Sequence, residues 1–225
     1  MDYADYRSLT ENKYNQLLTI LFLFLFSTAL PSGYHLIKVI SLIIFLSAML
    51  FVVYKIKASK LLIRFYTLLV VGNVLMLFSG LFSSSSINLN QNNQGTISFI
   101  FFLVIGLPIF LIQKEIFLTN EVTADILKGG IAAYVMLGLT WASFYNALYT
   151  LNPGAFNGVI DSQYQADLLH FSFITLTTVG YGDITPFTAL ARTAVDLEAI
   201  AGVMYPSILI ARLVSLYNTH SQESP

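Results

Sequence analysis

Six stretches of this chain stay apolar for long enough to leave water, and no other feature constrains the fold as much. They run roughly over Tyr14–Leu30, His35–Tyr54, Leu61–Phe82, Thr96–Ile112, Ile126–Leu148 and Ala189–Tyr217. A helix crosses bilayer hydrocarbon with about 20 apolar residues, and about 17 suffice. Backbone polar groups find no water at that depth and must be satisfied within the segment, so each stretch is predicted to be a helix. The breaks fall where they should: Pro31-Ser32-Gly33 ends the first, Lys55 to Lys60 separates the second and third, and Ser83 to Gly95 is a polar loop. Only 10% of residues are charged, against about 25% in soluble domains, which agrees with an all-α membrane protein of six transmembrane helices.

Several functions are disfavoured. A net charge of −1 gives no reason to expect nucleic acid as a partner. There is no cysteine, and three scattered histidines form no HExxH or similar spacing. No nucleophile–base pair, metal set or phosphate loop is present, so neither an enzyme nor a bound cofactor is expected. Leu17 to Phe26 loosely imitates a signal peptide, but Asp2, Asp5 and Glu11 precede it where such a peptide wants a positive start. It reads as a retained first helix.

Lysine and arginine sort by side. Arg7, Lys13, Lys55, Lys57, Lys60, Arg64, Lys114, Lys128 and Arg212 fall on one face of the membrane and only Lys38 and Arg192 on the other, which predicts cytoplasmic termini. Gln113 to Lys128 mixes charge with apolar residues and is predicted to lie as an amphipathic cuff at the interface before the fifth helix.

Between the fifth and sixth helices, Thr150 to Gln165 reads as a turret-like loop, and Ala166–Thr177 is too short to span. It is predicted to be a re-entrant helix, tolerated at membrane depth only where protein or water surrounds it. Asp167 in its first turn favours the positive end of the helix dipole, and the opposite end offers partial negative charge to a cation. Then comes Thr177-Thr178-Val179-Gly180-Tyr181-Gly182-Asp183, poor as helix and as strand. Gly180 and Gly182 permit backbone dihedrals that side chains resist.

This heptapeptide resembles the signature sequence of potassium channels, and from about Glu121 to Tyr217 the chain looks like their two-helix pore module. In that family four such loops turn backbone carbonyls to a central axis and replace the water shell of K⁺. The resemblance implies that Thr178, Val179, Gly180 and Tyr181 supply carbonyls, that the Thr178 hydroxyl completes the innermost site, and that Gly182 and Asp183 shape the outer mouth, with Thr177 beneath. Val179 and Tyr181 are expected to point away from the ions. It implies a homotetramer, because one chain supplies one loop. Many relatives have two tryptophans at the positions of His170 and Phe171. Phe171 cannot hydrogen-bond Tyr181. His170 could donate to Asp183, and since histidine as a residue type changes charge near neutral pH, its protonation is expected to change how long the filter conducts; the alternative is a neutral histidine satisfied by backbone or water.

Gly202 sits where the family has a gating-hinge glycine, and Pro206 follows four residues later, removing a hydrogen bond at the same point. The competing reading is close helix packing at Gly202. Asp196 and Glu198 are ionisable groups in a membrane helix, functional by default. Either could brace the re-entrant helix through Thr175 or Thr177, or face a water-filled cavity. Of the acids between Ile160 and Ile200, Asp161 reads as a solvated loop charge. Thr96–Ile112 carries no charged residue, whereas a voltage sensor needs about 3–4 gating charges there, so steep voltage dependence is not expected.

The expected organisation is a four-helix membrane domain over 1–120, a pore domain over 121–217 and a short cytoplasmic tail, 218–225, too short for a nucleotide- or calcium-binding gating domain. The expected function is passive, K⁺-selective conduction in the cell (inner) membrane. Two rivals stand beside it: a coupled potassium transporter, which builds its pore from four unlike repeats, and a non-conducting regulatory subunit or membrane sensor that keeps the filter as scaffold.

Overall fold

The computed structural model describes residues 13–30, 32–56, 58–82, 91–119, 123–159 and 164–222. Arg7, Lys57, Glu121 and Asp161, most of the polar loop after Phe82 and the boundary expected at 120/121 lie outside the described residues. Seven helices occur among those described: α1 (Lys13–Thr28), α2 (His35–Lys55), α3 (Lys60–Phe82), α4 (Gln91–Leu118), α5 (Ala124–Leu151), α6 (Tyr164–Leu176) and α7 (Ala189–Gln222). Two-residue strands, β1 (Phe156–Asn157) and β2 (Thr185–Pro186), pair antiparallel. Among the described residues four helices are long and apolar enough to cross a membrane, over Leu36–Lys55, Gln94–Leu118, Ala124–Leu151 and Ala189–Leu216. The sixteen residues of α1 rise about 24 Å, short of the roughly 30 Å of hydrocarbon.

The interfacial cuff does not form as a separate element. Gln113 to Leu118 continues α4, and residues 124–128 already belong to α5. No glycine or proline interrupts the chain between Ile112 and Leu118, and Pro108 is carried inside the helix. Charge alone is a weak reason for a helix to stop; a side chain such as Glu115 needs only a partner.

The chain divides into two compact units, one of Met1–Thr67, Leu107–Val135 and Ser207–Pro225, the other of Leu68–Gly106 and Met136–Pro206. In the first, α1 and α2 pack through a stacked Phe24–Phe45 pair at 4.5 Å, with the Ser27 and Ser41 hydroxyls 2.6 Å apart. Tyr14 is fully buried; its hydroxyl donates to Glu115 Oε2 at 2.7 Å and its backbone N–H to Asp125 Oδ1 at 3.1 Å, while Lys13 pairs with Glu115. Gly129 makes room for the Tyr14 ring, which a methyl would overlap at 2.9 Å. Arg212 donates to the carbonyls of Phe117 and Thr119, both at 2.9 Å. Those carbonyls lie at the end of α4, where helix acceptors lack intrahelical donors.

Candidate functional site

The second unit holds α6 and the loop that follows it. The thirteen residues of α6 rise about 20 Å, too little to cross a bilayer. Leu168, Phe171 and Ser172 fall at i, i+3 and i+4, so they share one face, and all are buried together with Ile174 and Leu176. That face meets aromatic rings. Phe171, Tyr145 and Phe156 form a triangle with centroids 5.4 to 5.6 Å apart, Tyr149 stacks on Tyr164 at 5.3 Å, and the Tyr164 hydroxyl donates to Gln94 at 3.1 Å. Gly138 of α5 lets Phe173 approach closely. Phe171, which has no hydrogen bond to offer Tyr181, is thus an apolar anchor for the helix.

From the end of α6 the backbone leaves in an unusual conformation. Thr178, Gly180 and Gly182 have φ of 62°, 53° and 78°, and Thr178 is the sole non-glycine residue with positive φ among those described. A β-branched residue there is an outlier that costs about 1–3 kcal/mol and survives only where its surroundings impose it. Here three bonds do so: Thr178 N–H donates to Thr175 O at 2.9 Å, and Val179 and Gly180 N–H both donate to Ile174 O, at 2.8 and 3.1 Å. A positive φ at every second residue turns alternate peptide planes in the same sense, a backbone able to present successive carbonyls to one side. Thr177 Oγ1 bonds back to Phe173 O at 2.7 Å. The Val179 and Tyr181 side chains are 51% and 71% exposed in the single chain, so its own residues cover only part of each.

The far end of the loop is clamped by the turret. Phe156 pairs with Pro186 and Asn157 with Thr185, and Phe187 N–H donates to Ala155 O at 2.8 Å. Gly158, at φ 86°, lies so close to Asp183 that a methyl would overlap its carbonyl oxygen. His170 stacks on Tyr181 at 6.0 Å and 16°, with its Nε2 3.8 Å from Asp183 Oδ2, beyond hydrogen-bond length but within ion-pair range; both side chains are half exposed. The structure therefore brings His170, Tyr181 and Asp183 together.

Behind α6 lies Glu198 of α7, fully buried. Tyr145 donates its hydroxyl proton to Glu198 Oε2 at 2.5 Å, and Ser172 Oγ lies 2.5 Å from Glu198 Oε1 and 2.7 Å from Gly138 O. Of the two acids it is Glu198 that touches α6, and through Ser172 rather than the Thr175 or Thr177 expected from sequence. Asp196 is exposed in the single chain. Helix α7 runs unbroken through Gly202 and Pro206. A methyl on Gly202 would overlap the Leu176 carbonyl oxygen, so the missing side chain serves a close approach to the end of α6.

Sequence reading missed Ser172, Tyr145 and Gly158. For Gly158 a signal existed, since Asn157-Gly158 is a turn dipeptide.

Residues 126–218 match the family described as "Ion channel". The chain is 38% identical over 84 residues to two pore potassium channel c of Oryza sativa subsp. japonica, covering 37% of this chain and 17% of that one. It is 31% identical over 81 residues to two-pore potassium channel 4 of Arabidopsis thaliana, covering 36% and 28%. With protein LctB of Bacillus caldotenax it shares 29% identity over 103 residues, 43% of this chain and 75% of that one. The chain thus spans less than a third of the length of either plant relative. No solved structure matches.

Proposed function

We propose, from the match of residues 126–218 to the family described as "Ion channel" and the similarity to potassium channels, that the protein is a potassium-selective channel conducting K⁺ passively down its gradient. The observation that carries the reading is the Thr178–Gly182 backbone, with positive φ at 178, 180 and 182 in a T-V-G-Y-G sequence hung from the end of a short helix. In this reading the carbonyls of Thr178, Val179, Gly180 and Tyr181 and the Thr178 hydroxyl hold the permeant ion, Gly182 and Asp183 shape the mouth, and Thr177, His170 and Phe171 support it.

One loop cannot surround an ion, so four copies assemble about one axis. Supporting this, only 11% of the membrane-length window of α7 is buried within the chain, against 61% for α5. The remaining architecture follows the sequence: six spans, with the bilayer thinned around the short α1, and a four-helix domain over 1–120 ahead of a pore domain over 121–217. Both termini lie in the cytoplasm of a cell whose inner membrane holds the protein. Gly202 and Pro206 form the hinge of the inner helix. Without charged residues in Thr96–Ile112 the channel has no steep voltage dependence; an open probability rising several-fold per few tens of millivolts in purified protein would overturn that.

The deciding experiment is reconstitution of the purified chain in liposomes with K⁺ and Na⁺ flux measured in parallel. K⁺ flux is expected to exceed Na⁺ flux, and Gly180→Ala, which puts a side chain at positive φ for about 1–2 kcal/mol, is expected to abolish the preference. Equal fluxes in the parent would defeat the reading, and no flux at all would leave a non-conducting subunit or sensor.

A further inference from the structure

Glu198 is an acid at membrane depth with no base beside it among the described residues. It sits on α7, is fully buried, and takes part in no ion pair among the described residues. The hydrogen-bonding groups around it are Tyr145 from α5 and Ser172 from α6, and the neighbouring acid on its own helix, Asp196, is exposed. Its state can be read by counting protons.

Tyr145 brings one hydroxyl proton, directed at Glu198 Oε2. Ser172 also brings one, yet its oxygen lies within bonding distance of two acceptors, Gly138 O at 2.7 Å and Glu198 Oε1 at 2.5 Å. A carbonyl oxygen has no proton to give. With Glu198 as a carboxylate, the single Ser172 proton would have to serve both contacts, and one close oxygen pair would be left without any. A proton on Oε1 closes the count: Tyr145 donates to Glu198, Glu198 to Ser172, and Ser172 to Gly138. Every polar atom of the group is then paired and no net charge is buried, as a dry membrane interior favours.

We propose that Glu198, as the neutral acid, is a positioning residue for the filter, the middle link of a directional hydrogen-bond chain that ties α6 to α5 and to α7. Ser172 stands two residues before Ile174, whose carbonyl holds Val179 and Gly180. A shift of α6 at Ser172 is passed directly to the conducting loop. The consequence for conduction rests on the channel reading above; the bond chain does not.

The test uses the full-length protein in liposomes with Glu198→Gln and Glu198→Ala. Glutamine offers one acceptor and one donor group where the neutral acid does. It is expected to keep single-channel burst durations within about twofold of the parent, while alanine shortens them about tenfold at unchanged unitary conductance, as loss of a buried hydrogen-bonding link implies. Alanine bursts like the parent's would overturn the positioning role, and glutamine bursts as short as alanine's would overturn the neutral form. Infrared difference spectra supply a readout that needs no current: the parent should show a protonated-carboxyl carbonyl band that vanishes in Glu198→Gln and moves to higher frequency in Tyr145→Phe. Absence of that band from the parent defeats the proposal. A parent that shows the band but passes no K⁺ upholds the bond chain and defeats the channel reading instead.

Discussion

On one side of α6, Phe171 is locked among the rings of Tyr145 and Phe156 and Ser172 is joined to Glu198 and Gly138; on the other, His170 is half exposed beside Tyr181, with Asp183 at 3.8 Å. The two faces belong to one helix, yet the first is dry and hydrogen-bonded throughout while the second is wet and loosely paired. The difference teaches where the loop gets its shape. A strained backbone such as Thr178 needs rigid surroundings, and within this chain rigidity comes from the buried face. The exposed face is open in the single chain and should tolerate change.

Substitutions break or sharpen that contrast in graded fashion. The largest effect is expected from Gly158→Ala, which combines about 1–2 kcal/mol for a side chain at positive φ with about 1–3 kcal/mol for overlap with the Asp183 backbone. Burst durations should fall at least about tenfold, a factor worth about 1.4 kcal/mol; parent-like bursts would mean that the clamp between turret and loop does not hold the mouth.

Gly202→Ala comes next. The added methyl meets the Leu176 carbonyl at a cost of about 1–3 kcal/mol, offset by about 1 kcal/mol of helix propensity. Open probability should drop several-fold with K⁺/Na⁺ preference intact. An unchanged open probability would remove Gly202 from both the hinge and the packing accounts.

The smallest effect belongs to the exposed face. The His170–Asp183 pair is half in solvent, where an ion pair is worth about 0–1 kcal/mol. Open lifetimes in His170→Phe should shorten by no more than about fivefold, since a half-exposed pair of this kind contributes little. Lifetimes unchanged in the variant would take His170 out of the account, and a tenfold loss would overturn the contrast between the faces.

Much of this was legible in sequence, and the gaps have physical causes. Apolar runs bounded by Pro, Gly or basic residues located α2, α3 and α5 to within a few residues, because length in hydrocarbon is the signal. Helix α4 was misjudged at both ends. Its first turns, Gln91 to Gly95, are polar and carry no hydrophobic period, and the charges after Ile112 suggested an interface where the helix simply continues. The intramembrane acids Asp196 and Glu198 both stood out, but which of them braces α6, and through which residue, depended on the rotation of α7 and on the height at which it crosses α6. Ser172 and Thr175 share a face one turn apart, and sequence carries no measure of that height. Gly158 depended on a backbone angle and a long-range approach to Asp183, with only its turn dipeptide visible beforehand.

The shared carbonyl of Ile174 has a mechanical consequence. Two consecutive amides hang from one oxygen, so Val179 and Gly180 have a common fulcrum and cannot be displaced independently. A small tilt of α6 reaches both as a single stroke, which makes the lower part of the loop a lever rather than a string of separately adjustable links.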